Sequence, residues 1–195
     1  MKKILDVPYY SQILDVEEDY WKKSGCGIVS IKMIIDYFYK DTDFETPKLS
    51  KLFDEGIFIK GFINGYWVHK SLTSLIRNYG VSSYNQEFRS RSMNYENEDM
   101  FVNEHENTFS ENALNKICEQ IKNNNPVIVS IFRNVNEQKG GHLIVLTGYE
   151  KRNKNIVGFF YNEPNSESIE QGKNIFVSKD IFLEMWKKFA IFVYK

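Results

Sequence analysis

Ser24-Gly25-Cys26-Gly27-Ile28-Val29-Ser30-Ile31-Lys32-Met33-Ile34-Ile35-Asp36-Tyr37-Phe38-Tyr39 is the stretch on which the fold turns. Its apolar side chains at Ile28, Ile31, Ile34, Ile35 and Phe38 recur at spacings of three and four, which predicts a helix over 26–39 with a buried face. Turn formers from Asp41 to Pro47 end it. Cys26 stands at the head of this helix, where the partial positive charge of the N-terminus stabilises a thiolate. Gly25 and Gly27 on either side would let a substrate backbone come close. The other cysteine, Cys118, lies on the apolar face of a later helical pattern and reads as core.

Before this helix, Pro8 biases residues 5–12 toward an extended segment. After it, 47–55 and 71–78 suit short helices, the second with Gly80 just past its end. Residues 82–110 are polar and acidic with no sustained period, and read as a long insertion. Helical spacing returns over 113–121 and stops at Asn123-Asn124-Asn125-Pro126. Beyond it come apolar runs of strand length: 127–132, 143–149, 156–161, 174–177 and 190–194, with Ser178 capping a helix through Trp186. Helices first and strands later predict an α+β fold, its C-terminal half closed by an antiparallel sheet.

A chain of 195 residues, 42% hydrophobic and 26% charged, fits one globular domain over 1–195. Its formal net charge of −1 gives no reason to expect nucleic acid or an anionic membrane as partner. No run approaches the roughly 18 apolar residues of a membrane span, and Asp6 and Pro8 cut short any signal-like start, so the expected location is cytoplasmic. Cys26 and Cys118 have no metal-type spacing, so neither a metal nor a cofactor is expected.

A thiol nucleophile needs a base, and the chain has three histidines. His105 lies in the acidic stretch and His69 just before the 71–78 helix. His142 follows Gly140-Gly141 and opens an apolar strand, which can hold its backbone while the ring faces a cleft. The strand after His142 returns through a polar hairpin, 150–155. With the turn centred between Arg152 and Asn153, His142 faces Glu163; half a residue back it faces Asn162. Either side chain could orient the imidazole. The oxyanion donors available are the Cys26 N–H and the amide of Gln12, fourteen residues earlier on the extended segment.

In this order, Asp6-Val7-Pro8-Tyr9 with Gln12, Gly25-Cys26-Gly27, Gly141-His142-Leu143-Ile144-Val145 with Gly148-Tyr149, and Asn162-Glu163-Pro164 resemble the C39-like branch of papain-fold cysteine peptidases over nearly the whole chain. The resemblance implies a papain-like fold, Cys26 as nucleophile, His142 as general base and acid, Gln12 in the oxyanion hole, and a peptide or amide substrate. Where the family usually carries Asp-Pro, this chain has Glu163-Pro164 preceded by Asn162. Three activities fit: hydrolysis through a thioester, acyl transfer to an amine, and peptide binding without turnover.

Overall fold

A computed structural model describes residues 1–89 and 106–195 of the protein. In chain order the elements are β1 (Lys2–Ile4), α1 (Asp19–Ser24), α2 (Cys26–Tyr39), α3 (Leu49–Phe58), β2 (Phe62–Ile63), β3 (Tyr66–Trp67), α4 (His69–Asn78) and β4 (Ser82–Glu87). There follow α5 (Glu106–Lys122), β5 (Val127–Ile131), β6 (His142–Arg152), β7 (Asn155–Asn162), α6 (Ile169–Gly172), β8 (Ile175–Ser178), α7 (Lys179–Met185) and β9 (Trp186–Tyr194). The main sheet runs β4-β9-β5-β6-β7-β8, with β1 added on β6, and every pairing is antiparallel. The α+β expectation therefore holds.

The apolar content of each run explains its place. All five residues of β5 are buried, as suits a strand flanked by β9 and β6 and covered on both faces. Every residue of α2 from Cys26 to Ile35 is buried, so this helix is wrapped on all sides, packing on β6, α3 and α4. The predicted helix over 26–39 matches α2 end for end. Gly80, at φ +72°, takes the left-handed conformation that ends α4.

The stretch 82–110 corrects the sequence reading. Residues 82–87 form β4, paired along its length with β9 from Phe189 to Tyr194. Its alternation of exposed and buried side chains is carried by serine, tyrosine, asparagine and glutamine rather than by aliphatic residues, and so escapes a hydrophobic pattern. Residues 106–110 open α5, and 90–105, with His105 and most of the acidic residues, lie outside the described residues.

A second correction concerns the glycines around the thiol. A Cβ on Gly27 would stand 2.6 Å from Cγ of Trp67, and one on Gly25 2.6 Å from the Trp21 carbonyl oxygen. Both glycines are there to admit neighbouring protein groups, not a substrate. The Trp67 indole lies against the first turn of α2 and donates from Nε1 to the Ser24 carbonyl at 2.6 Å. Trp21, Phe53, Phe62 and Trp67 form one aromatic cluster behind that turn.

Gly27→Ala therefore pits about 1 kcal/mol of helix propensity in its favour against overpacking of about 1–3 kcal/mol and the loss of the indole bond, about 1 kcal/mol more. The net expectation is a destabilised protein with a lower urea midpoint and altered tryptophan fluorescence. A midpoint at or above that of the wild type would refute the packing argument.

Candidate active site

Three segments converge on the head of α2. The extended segment before α1 is tied down by Tyr10, whose hydroxyl donates to Asp36 on α2 at 2.5 Å. It is also tied to the chain after β7: the Gln12 N–H donates to Pro164 O at 2.7 Å, and the Ser11 hydroxyl to Ser166 O at 2.6 Å. His142 is the first residue of β6, paired across the sheet with Ile131. Glu163 follows the last residue of β7.

The His142 ring is buried, and its Nε2 contacts Glu163 Oε1. That same carboxylate oxygen accepts the Asn165 backbone N–H at 2.8 Å. Glu163 itself is held through its backbone, its N–H donating to Gly172 O at 2.8 Å and its carbonyl accepting the Tyr9 hydroxyl at 3.0 Å. The other ring nitrogen, Nδ1, is buried without a hydrogen-bond partner. A buried ring nitrogen left without a partner needs a reason. Here the neighbouring group is the thiol.

Burial alone would raise the Cys26 thiol, but the His142 imidazole outweighs it, helped by the Leu143 backbone and the Arg133 charge, and the net shift is downward. His142 shows the reverse balance. Its burial favours the neutral ring, and Cys26 and Glu163 together drive its pKa up. Opposed shifts in this adjacent acid and base both favour passing the thiol proton to the ring, and the two groups titrate as a unit. Cys118 stands in contrast, burial pushing it up to about 11.

Asn162 is buried and faces elsewhere. Its Oδ1 accepts the Asn174 N–H at 2.9 Å and its Nδ2 lies 3.8 Å from the Met33 sulfur. The two sequence alternatives thus separate, with Glu163 on the imidazole and Asn162 in the core. The register that led to them is corrected: Arg152 pairs with Asn155, so the turn is Asn153-Lys154, both at positive φ as in a type I′ turn. Two irregularities follow along the ladder, and pairing ends at Val145–Asn162. Glu163 meets His142 after leaving the strand, not as its ladder partner.

Gln12 lies wholly buried beside the thiol's helix, its Cβ 3.5 Å from where a Gly25 Cβ would be. Its Nε2 donates to Lys22 O at 2.7 Å and to Asn165 Oδ1 at 3.1 Å, while Oε1 has no partner. Both amide hydrogens are therefore in use. The Cys26 N–H, in the first turn of α2, belongs to the donors a helix start leaves free.

Cys26 and His142 open onto a cavity of about 450 Å³. One wall is the β2–β3 hairpin, whose Asn64-Gly65 turn (both at positive φ) carries Tyr66 and Trp67 to the cleft. An Asn-Gly pair between apolar residues is a hairpin signal, and it was the available pointer to this wall. His69 lines the cavity too. It is stacked on Phe189 at 3.9 Å, and burial with Lys187 nearby lowers its pKa to about 4. A neutral ring stacked in this way does not share the proton of the Cys26–His142 pair. Among the described residues no cluster of His, Cys, Asp and Glu could hold a metal ion, and no helix is long and apolar enough to cross a membrane.

Comparison with known proteins points the same way. The model of the Peptidase_C39 like family matches residues 4–191. A crystal structure from Bacillus anthracis, assigned as a C39-like peptidase, superposes with a TM-score of 0.65 at 16% identity, covering 100% of this chain and 98% of its own. A double glycine motif protease from an AMS/PCAT transporter, solved with the leader peptide, gives 0.57 at 16% identity, with 98% and 93% covered. At such identities the likeness is one of fold. No curated protein sequence matches significantly.

Proposed function

The chain belongs to the Peptidase_C39 like family, and from that premise we propose that it is a cysteine-dependent hydrolase of peptide or amide bonds, acting as one domain. The observation that carries this is the buried His142 ring, held on a carboxylate through one nitrogen and lying beside a thiol whose pKa it lowers. Cys26 attacks the carbonyl carbon and His142 holds the proton released from the thiol. The imidazolium then protonates the leaving amine as the C–N bond breaks, giving a thioester on Cys26. Water, deprotonated by His142, cleaves the thioester and restores the thiol.

Glu163 fixes the ring so that Nδ1 stays aimed at the sulfur, and its charge stabilises the imidazolium. The Cys26 N–H meets the oxyanion. Gln12 joins it as a second donor by exchanging its longer bond, the one to Asn165, for the substrate oxygen. The substrate is a peptide, a reading supported by the structurally similar protease that was solved in complex with the leader peptide.

Alkylation by iodoacetamide at pH 7, read by mass spectrometry, tests the proposal. With one thiol lowered and the other near 11, Cys26 should react at least about 100-fold faster than Cys118, because the thiolate is the reactive form. Comparable rates at the two cysteines would rule out an activated nucleophile.

A further inference from the structure

The chain carries 25 basic and 26 acidic residues, so an arbitrary surface patch would mix the two signs. The cavity at Cys26 does not. Apart from the Cys26–His142 pair, its charged lining side chains are Lys23, Arg133 and Lys187, with no aspartate or glutamate among the described residues that line it. Glu163 lies behind the ring, taken up by His142 and the Asn165 N–H.

These cations are built into the approach to the catalytic pair. Lys187 Nζ donates to Gly140 O at 3.1 Å and lies 3.6 Å from where a Gly141 Cβ would be. Arg133 Cβ stands 3.0 Å from the equivalent point on Gly140, and its Nη2 donates to Lys23 O at 3.2 Å. Both therefore converge on Gly140-Gly141, the residues that lead into His142, and Arg133 reaches across toward the head of α2. Their partners are neutral carbonyl oxygens and, for Lys187, the face of the Phe132 ring at 5.4 Å, and neither enters an ion pair among the described residues. Lys187 is half-buried, and that burial, with Arg89 beside it, pulls its pKa below the usual lysine range. A partly desolvated cation with no counter-ion among the described residues gains from an incoming anion.

We propose that this cleft receives a carboxylate of the substrate next to the scissile bond, held between Arg133 and Lys187 with Lys23 at the rim. The proposal rests on the peptidase reading and narrows its substrate class. The carboxylate is either an acidic side chain or a free peptide C-terminus, chemically the same anion to the site.

The test compares alkylation of Cys26 by iodoacetate and by iodoacetamide, in wild type and in the Arg133→Gln/Lys187→Gln double variant. The ratio of the two rates cancels the thiolate fraction and isolates the effect of the reagent's charge. The wild-type ratio should exceed that of the double variant by about tenfold, the lower end of what a cleft of one sign provides, and should fall as salt is added. Equal, salt-insensitive ratios would overturn the proposal, while Cys26 still outpacing Cys118 would leave the peptidase reading intact. Should the double variant not fold, the wild-type salt dependence decides alone.

Peptides with Glu or Gln flanking the scissile bond, and with free or amidated C-termini, then identify the source. The carboxylate that raises kcat/KM in wild type and not in the double variant is the one received. A preference for neither counts against the proposal.

Discussion

Cys26→Ser should reduce peptide turnover to background, and His142→Ala should cut it by about a thousandfold or more, the scale on which members of such a catalytic unit act. The pair is also expected to fail as a pair, the double variant losing little beyond either single one. The pH profile adds a readout that mere misfolding would not produce. In the wild type the imidazole overrides burial and holds the Cys26 thiol low, so alkylation stays fast below the ordinary thiol range near about 8.5. With alanine at position 142 only burial and weaker terms remain, and burial acts upward. The midpoint of Cys26 alkylation should then move to higher pH, and the rate at pH 7 should drop more than tenfold. An unchanged profile in His142→Ala would show that the ring does not activate the thiol.

Much of this geometry was legible before any coordinates, and for identifiable reasons. The α2 helix announces itself because its apolar spacing is unbroken and its ends are marked by Gly25 and the turn after Tyr39. The strands β5 to β7 are apolar runs of strand length, and Gly140-Gly141 mark the loop that delivers His142. What escaped is set by tertiary context. The identity of the group behind His142 depended on where the hairpin turns, which is at Asn153-Lys154, one residue later than the polar stretch suggests, and on Glu163 lying just past the strand. The reason for Gly27 is an indole forty residues downstream, invisible to any local pattern. The cationic lining gathers residues 23, 133 and 187 from three separate segments, which no spacing rule links.

Glu163, standing where the resemblance to the family implies an aspartate, yields the last expectation. Glutamate is one methylene longer, and the chain uses the extra reach after β7 has ended: Oε1 meets both His142 Nε2 and the Asn165 N–H. Glu163→Ala removes the acceptor and the charge together, and turnover should fall by about 10²–10⁴-fold, as when a base loses the group that fixes its tautomer. Glu163→Gln separates the two contributions. Its side-chain oxygen can still accept from Nε2, so orientation survives and the loss should be smaller, but the charge that helps raise the His142 pKa is gone. The sign follows directly. A less stabilised imidazolium loses its proton at lower pH, so the alkaline limb of the turnover profile should move toward neutrality. Asn162→Ala is the matching control: it leaves the half-buried Asn174 N–H without its acceptor, which costs about 1 kcal/mol of stability, yet the pH profile should stay where it is. If Asn162→Ala moves that limb and Glu163→Gln does not, the orienting role belongs to the asparagine after all.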